Sequence, residues 1–153
     1  MRKFLLKFLL TLSVFISLSN YSNSQIVISQ VYGGGGNSGA TYTHDFIELF
    51  NRGTSAVSIA GWSIQYTSSA GTTWQKTDLS GTLLPGQYYL IQQAQGAGGT
   101  TALPTPDVTG TIAMSGTNGK VVLLNVNTLI TAGTSCPSGG IVEDIVGFGS
   151  ANC

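Results

Sequence analysis

Histidine is almost missing from this 153-residue chain: there is one, His44, and the two cysteines are not spaced as a CxxC pair. Zinc and dithiol redox sites need such residues in clusters, so the sequence excludes the common versions of both. Charge is equally scarce, at 8% of residues. Arg2, Lys3 and Lys7 lie at the extreme N-terminus, which leaves Arg52, Lys76 and Lys120 against six acids and a balance of −3 from Gln25 onward. Three scattered cations do not make the stripe that neutralises a phosphate backbone, so charge argues against DNA or RNA as a direct ligand. Beyond residue 24 no apolar run is long enough to cross a bilayer, and no apolar period of 3.6 persists for three turns. Also absent are a GxSxG elbow, a DxDxDG calcium loop and the Gly-Lys-Ser/Thr of a Walker-type loop.

What is present begins with a leader. The basic residues at positions 2, 3 and 7 precede an apolar stretch, 8–18, too short for a comfortable span, and Ser22-Asn23-Ser24 gives a small-x-small pattern before Gln25. Residues 1–24 read as a secretory signal peptide; the alternative, a membrane anchor, needs a longer run. The remaining residues, 25–153, are expected to form one exported domain, secreted or displayed at the cell surface.

Strand signals fill that domain. Residues 25–32 (QIVISQVY) set Ile26, Ile28 and Gln30 against Val27, Ser29 and Val31 and run into four glycines. Further strands are expected at 45–51, 57–59, 62–67, 74–79, 87–92, 110–114, 120–126 and 141–148, separated by turn formers such as Pro85-Gly86 and Thr117-Asn118-Gly119. Residues 95–101 and 105–109 read as an excursion loop. Short, regularly spaced strands with polar turns predict an all-β antiparallel sandwich or barrel. Ile47, Leu49, Trp62, Tyr88 and Leu90 are the expected core.

Two stretches invite a chemical reading. Gly34, Gly36 and Gly39 match GxGxxG after a strand, but the next element is DFIELFN, another strand, where a dinucleotide site needs a helix N-terminus. His44, Asp45 and Glu48 look like a metal or proton-transfer trio. On a strand, however, Asp45, Ile47 and Leu49 share one face while Phe46, Glu48 and Phe50 share the other, so the two carboxylates point apart. The expectation is therefore no catalytic, cofactor-binding or metal-binding residue. Glu48 is expected to pair across strands with a lysine or a hydroxyl, and Phe46 and Phe50 need covering by the chain or by a neighbouring domain. Tyr32, Tyr42 and Trp74 are the candidates for stacking on a sugar. Cys136 and Cys153 would close a disulfide loop of about 18 residues, a constraint valued at about 3 kcal/mol; a free thiol, or a partner beyond residue 153, is the alternative.

Three segments in order, DFIELFN, AGWSIQYTS and LLPGQYYLIQQAQGAGG, followed by TNGK leading into VVLLN, resemble a lamin tail domain. The opening IVISQVYGGGGNSGA and the ending CPSGG…GFGSANC are similar to the secreted bacterial type. The resemblance implies an immunoglobulin-like β-sandwich without catalytic residues, whose partners are other protein domains or cell-surface components. It also implies a chain that continues past Cys153. Two functions follow: a binding or spacing module of a larger exported protein, or the accessory part of an extracellular nuclease or phosphatase whose chemistry lies downstream.

Overall fold

Residues 45–51 position everything else, because Asp45, Ile47 and Leu49 point to one side and all three are buried. The computed structural model describes residues 24–153, so the signal peptide expected at 1–24 lies, apart from Ser24, outside the described residues. Ten strands follow one another: β1 (Ile26–Tyr32), β2 (His44–Asn51), β3 (Val57–Ser58), β4 (Ser63–Thr67), β5 (Gln75–Asp78), β6 (Thr82–Leu83), β7 (Tyr88–Gln95), β8 (Val108–Thr109), β9 (Gly119–Leu124) and β10 (Val142–Phe148). They form two four-stranded sheets, β1-β2-β7-β8 and β10-β9-β4-β5, and a two-stranded ribbon, β3-β6. Only β7 and β8 run parallel. The all-β sandwich is as expected.

The core lies between the sheets. Ile26, Ile28, Ile47, Leu49, Tyr89 and Ile91 enter it from one side, and Ile64, Tyr66, Val121 and Leu123 from the other. Each such side chain is worth roughly 1.5–3 kcal/mol when fully removed from water. At one margin the two sheets meet edge to edge: the Ile28 amide of β1 donates to Asp144 Oδ2 of β10 at 2.8 Å. That carboxylate satisfies an N–H that β1, an edge strand opposite β2, turns away from its ladder. A β-bulge around Ser29 corrects the simple alternation expected for β1, because beyond it Val31 and not Gln30 packs on the core.

Two expected core residues, Tyr88 and Leu90, lie on the outer face, and a third, Trp62, packs on the core only from its margin. Leu49 pairs with Tyr89 and Ile47 with Ile91. Directly opposed residues share a face, so Tyr89 and Ile91 are inside, while Tyr88 is 56% exposed and Leu90 half-buried on the outer side. The run YYLI is apolar at both parities, and only pairing with β2 fixes its register. Trp62 has the inward parity of Ile64 and Tyr66, but it precedes β4 and sits half-buried at the core's rim.

Residues 110–114 are not a strand, although Ile112 and Met114 are buried. Side chains replace the missing ladder: the Ile112 amide donates to Gln93 Oε1 at 3.1 Å and the Met114 amide to Asp45 Oδ2 at 2.6 Å.

The second sheet is buried on both faces, as the unbroken burial of β4 and β9 shows. Its outer face carries Trp74, Val122 and Leu124, covered by Val126, Ile130, Val142 and Ile145. The strandless connection from β9 to β10 folds back across it. Buried polar side chains hold that connection by its backbone. Ser63 Oγ donates to the Val126 carbonyl at 2.7 Å, and Gln65 Nε2 donates to the Thr128 carbonyl at 2.8 Å. Gln65 Oε1 accepts from the Ile130 amide at 3.0 Å, and Trp74 Nε1 donates to the Thr134 carbonyl at 2.9 Å. Trp74 is thus a buried anchor and unavailable for stacking on a sugar.

Candidate functional site

The glycine loop between β1 and β2 does bind an anion, and the anion is the protein's own. Asp45, turned inward by its place in β2, accepts the Gly35 amide on Oδ1 at 2.5 Å and the Met114 amide on Oδ2 at 2.6 Å. Gly34 and Gly36 take left-handed φ values of 73° and 71°, which a side chain would strain, and their amides donate to the Met114 and Tyr42 carbonyls on either side of the Gly35 amide. At Gly35 a Cβ would fall on the His44–Asp45 backbone, so the chain approaches too closely for any side chain. Burial raises the Asp45 pKa above the ordinary carboxylate value. The amides of Met114, Gly35 and Gly34, together with His44, pull the other way without cancelling it.

His44 and Glu48 do not join Asp45. His44 Nδ1 lies 2.9 Å from Thr43 Oγ1, and Glu48 Oε1 accepts from Ser29 Oγ at 2.8 Å, the hydroxyl pairing expected for it. On that outer face the chain buries the Phe46 ring and half-buries that of Phe50. Phe46 stacks on Tyr32 with centroids 5.1 Å apart and meets Tyr42 edge-on, while Phe50 packs against Tyr88 at 4.6 Å. The other acids are also engaged: Asp78 with Lys76, Asp107 with the Leu90 amide, Glu143 with Asn125, and Asp144 with the Ile28 amide. Each of the six carboxylates therefore has an internal partner. Among the described residues no three potential metal ligands of the His, Cys, Asp and Glu types come together.

One cation is fully buried, and its burial was not legible in TNGKVVLLN. Lys120 of β9 extends along the outer face of the second sheet and donates to the Ser135 carbonyl at 2.9 Å, Asn152 Oδ1 at 2.8 Å and the Gly71 carbonyl at 3.0 Å. Its Nζ also sits 5.7 Å from the centre of the Trp74 ring. Neutral oxygens and a π face take the place of a carboxylate here. Cys136 and Cys153, expected as a disulfide, are free thiols in this structure, and they lie beside each other next to that cage. Partial desolvation raises the Cys153 pKa and the neighbouring Cys136 thiol adds to it, against the opposing field of Lys120.

The family model for the Lamin Tail Domain matches residues 19–136, more than half of the chain. The chain belongs to the lamin tail domain family. A comparison with curated proteins gives no match. The family is a non-catalytic, immunoglobulin-like one, which agrees with a sandwich whose carboxylates are all internally engaged. In this lamin tail domain β10 lies beyond the matched residues, yet it pairs with β9 along its whole length.

Among the described residues, an apolar groove marks the surface of this lamin tail domain. With a volume of about 350 Å³, it opens on the outer side of the second sheet, lined by Leu124, Leu129, Ile130, Pro137 and Ile141 with a hydroxyl rim that includes Thr131 and Ser138. Leu129 and Ile141 are 49% and 48% exposed, and no charged side chain lines the groove. A groove of this composition takes an apolar, uncharged occupant.

Proposed function

We propose that the protein is an exported, non-catalytic β-sandwich module that docks another protein at the Leu129–Ile141 groove. The observation that carries this reading is the contrast between the two kinds of surface. Each carboxylate has a partner within the chain, while apolar side chains stand uncovered around a groove without charge. The basic, apolar and small-residue pattern of residues 1–24 supports export. The acidic balance from Gln25 onward favours a protein partner over a polyanion.

The test follows the exported chain between the cell surface and the medium. With Leu129→Asp and Ile141→Asp together, retention at the surface should fall several-fold, while Leu84→Asp, at an equally exposed leucine outside the groove, should leave it unchanged. Equal partition for all three proteins would count against the groove. Hydrolysis of a phosphodiester or phosphomonoester by the purified chain would count against a non-catalytic module. The accessory-domain reading differs in what lies beyond residue 153: it requires a catalytic domain in the same polypeptide, visible as a larger intact mass.

A further inference from the structure

The residues preceding the two cysteines are both held by the same ammonium. Lys120 Nζ bonds the Ser135 carbonyl and Asn152 Oδ1, and Asn152 Nδ2 bonds back to Ser135 Oγ at 2.9 Å. The thiols complete the pattern reciprocally. Cys136 Sγ donates to the Asn152 carbonyl at 3.4 Å, and Cys153 Sγ donates to the Ser135 carbonyl at 3.6 Å. Ser135-Cys136 and Asn152-Cys153 are therefore knitted side by side by five contacts, none of which needs a covalent bond. Both thiols are exposed, so an oxidant reaches them without unfolding.

We propose that Cys136 and Cys153 are an oxidation site, templated by Lys120, whose disulfide latches the β9–β10 connection across the outer face of the second sheet. The oxidant is a disulfide-bearing thiol compound of the oxidised-glutathione class. One protein thiolate attacks it, forming a mixed disulfide and releasing one reduced thiol. The second protein thiolate then attacks the mixed disulfide, forming Cys136–Cys153 and releasing the other. Two S–H bonds are lost and one S–S bond forms; two electrons and two protons pass to the oxidant, which ends as two thiols.

The latch has a mechanical reason. The segment it secures has no strand pairing of its own and is held mainly by side chains, Ser63, Gln65, Lys76 and Lys120 among them, with a single main-chain bond from Gly133 to the Thr72 carbonyl. Closing the loop removes conformations from the unfolded chain, and for its length the folding equilibrium should shift on the order of 100-fold. Cys136 and Pro137 also stand in the wall of the apolar groove, so the bond fixes that wall. The proposal is independent of what the groove binds.

The experiment uses the full chain, exported by its own leader and collected without reductant, and the same protein reduced and then equilibrated with oxidised glutathione. Intact mass should rise by about two hydrogens on reduction, and a non-reducing peptide map should contain the Cys136 and Cys153 peptides joined within one chain. Limited proteolysis within residues 127–140 should be at least tenfold slower in the oxidised protein. Two alkylatable thiols in both preparations, or a bond between chains, overturns the site. An intramolecular bond that leaves proteolysis unchanged overturns the latch. Cys136→Ser and Cys153→Ser, each alone, should resemble the reduced protein; if either keeps the slow proteolysis, the latch is again refuted.

Discussion

Replacing Asp45 with alanine tests whether the glycine loop is held by an internal anion. The substitution strands two buried donors, the amides of Gly35 and Met114. Each unsatisfied donor costs about 1–3 kcal/mol, so the loss of both approaches about 2–6 kcal/mol. Removing a carboxylate that burial disfavours gives part of this back, and we expect a net loss of about 2–4 kcal/mol. Urea unfolding followed through the fluorescence of buried Trp74 should show a lower midpoint at an unchanged slope. The vacated site adjoins a cleft of about 130 Å³ lined by Gly34, Gly35, Asn37 and Met114. Formate should enter it and restore part of the midpoint in the variant but not in the parent, with chloride at equal ionic strength as the control. The pH dependence has a definite sign. Asp45 binds its proton more tightly in the folded chain than the ordinary value of 3.8. Its contribution is therefore complete below that value and declines as pH rises through the elevated folded pKa, so the gap between parent and variant should narrow from acid toward neutral pH. A loss below about 0.5 kcal/mol, the scale of an ordinary surface change, would refute the reasoning.

Five other substitutions probe the rest of the architecture. Tyr89→Ala should cost about 3–5 kcal/mol because it empties the core, whereas Tyr88→Ala, which loses only its packing on Phe50, should cost about 0.5–1.5 kcal/mol in the same unfolding assay. Lys120→Met leaves the Gly71 and Ser135 carbonyls and Asn152 without their shared donor, and a loss of about 3–5 kcal/mol is expected, with faster amide exchange at residues 126–135. Gly35→Ala forces a methyl group onto the His44–Asp45 backbone and should cost about 1–3 kcal/mol, while Gly140→Ala, in open space, should be nearly neutral by thermal melting.

The architecture was legible where local pattern and tertiary pairing agree. DFIELFN alternates cleanly, so its inward and outward faces were assigned correctly, and its geometry alone showed that Asp45 and Glu48 part company. The YYLI run carries apolar residues at both parities, and its register comes from β2, an element 40 residues earlier in the chain. Residues 110–114 have strand composition but find side-chain acceptors in place of a ladder, which no local propensity encodes. The glycine loop links two strands, β1 and β2, as the sequence predicts. What it holds was hidden, because the carboxylate that fills it comes from the following strand and the third segment, around Met114, from far downstream. Lys120 was the largest omission. A lysine among valines and leucines signals an outward position, yet here the outside of the sheet is itself covered.

The way that cover is attached has a consequence for how such a module changes over generations. Ser63, Gln65, Trp74 and Lys120 grip the carbonyls of residues 126, 128, 134 and 135, and Gln65 also takes the amide of residue 130. They hold the main chain, which every sequence shares. Apart from Val126 and Ile130, which pack on the sheet, the side chains along this stretch are consequently free to be exchanged while the anchors beneath stay the same, as on a pegboard whose pegs accept many cards. A lineage can thus rewrite the lining of the groove, and with it the choice of partner, without renegotiating the fold that presents it.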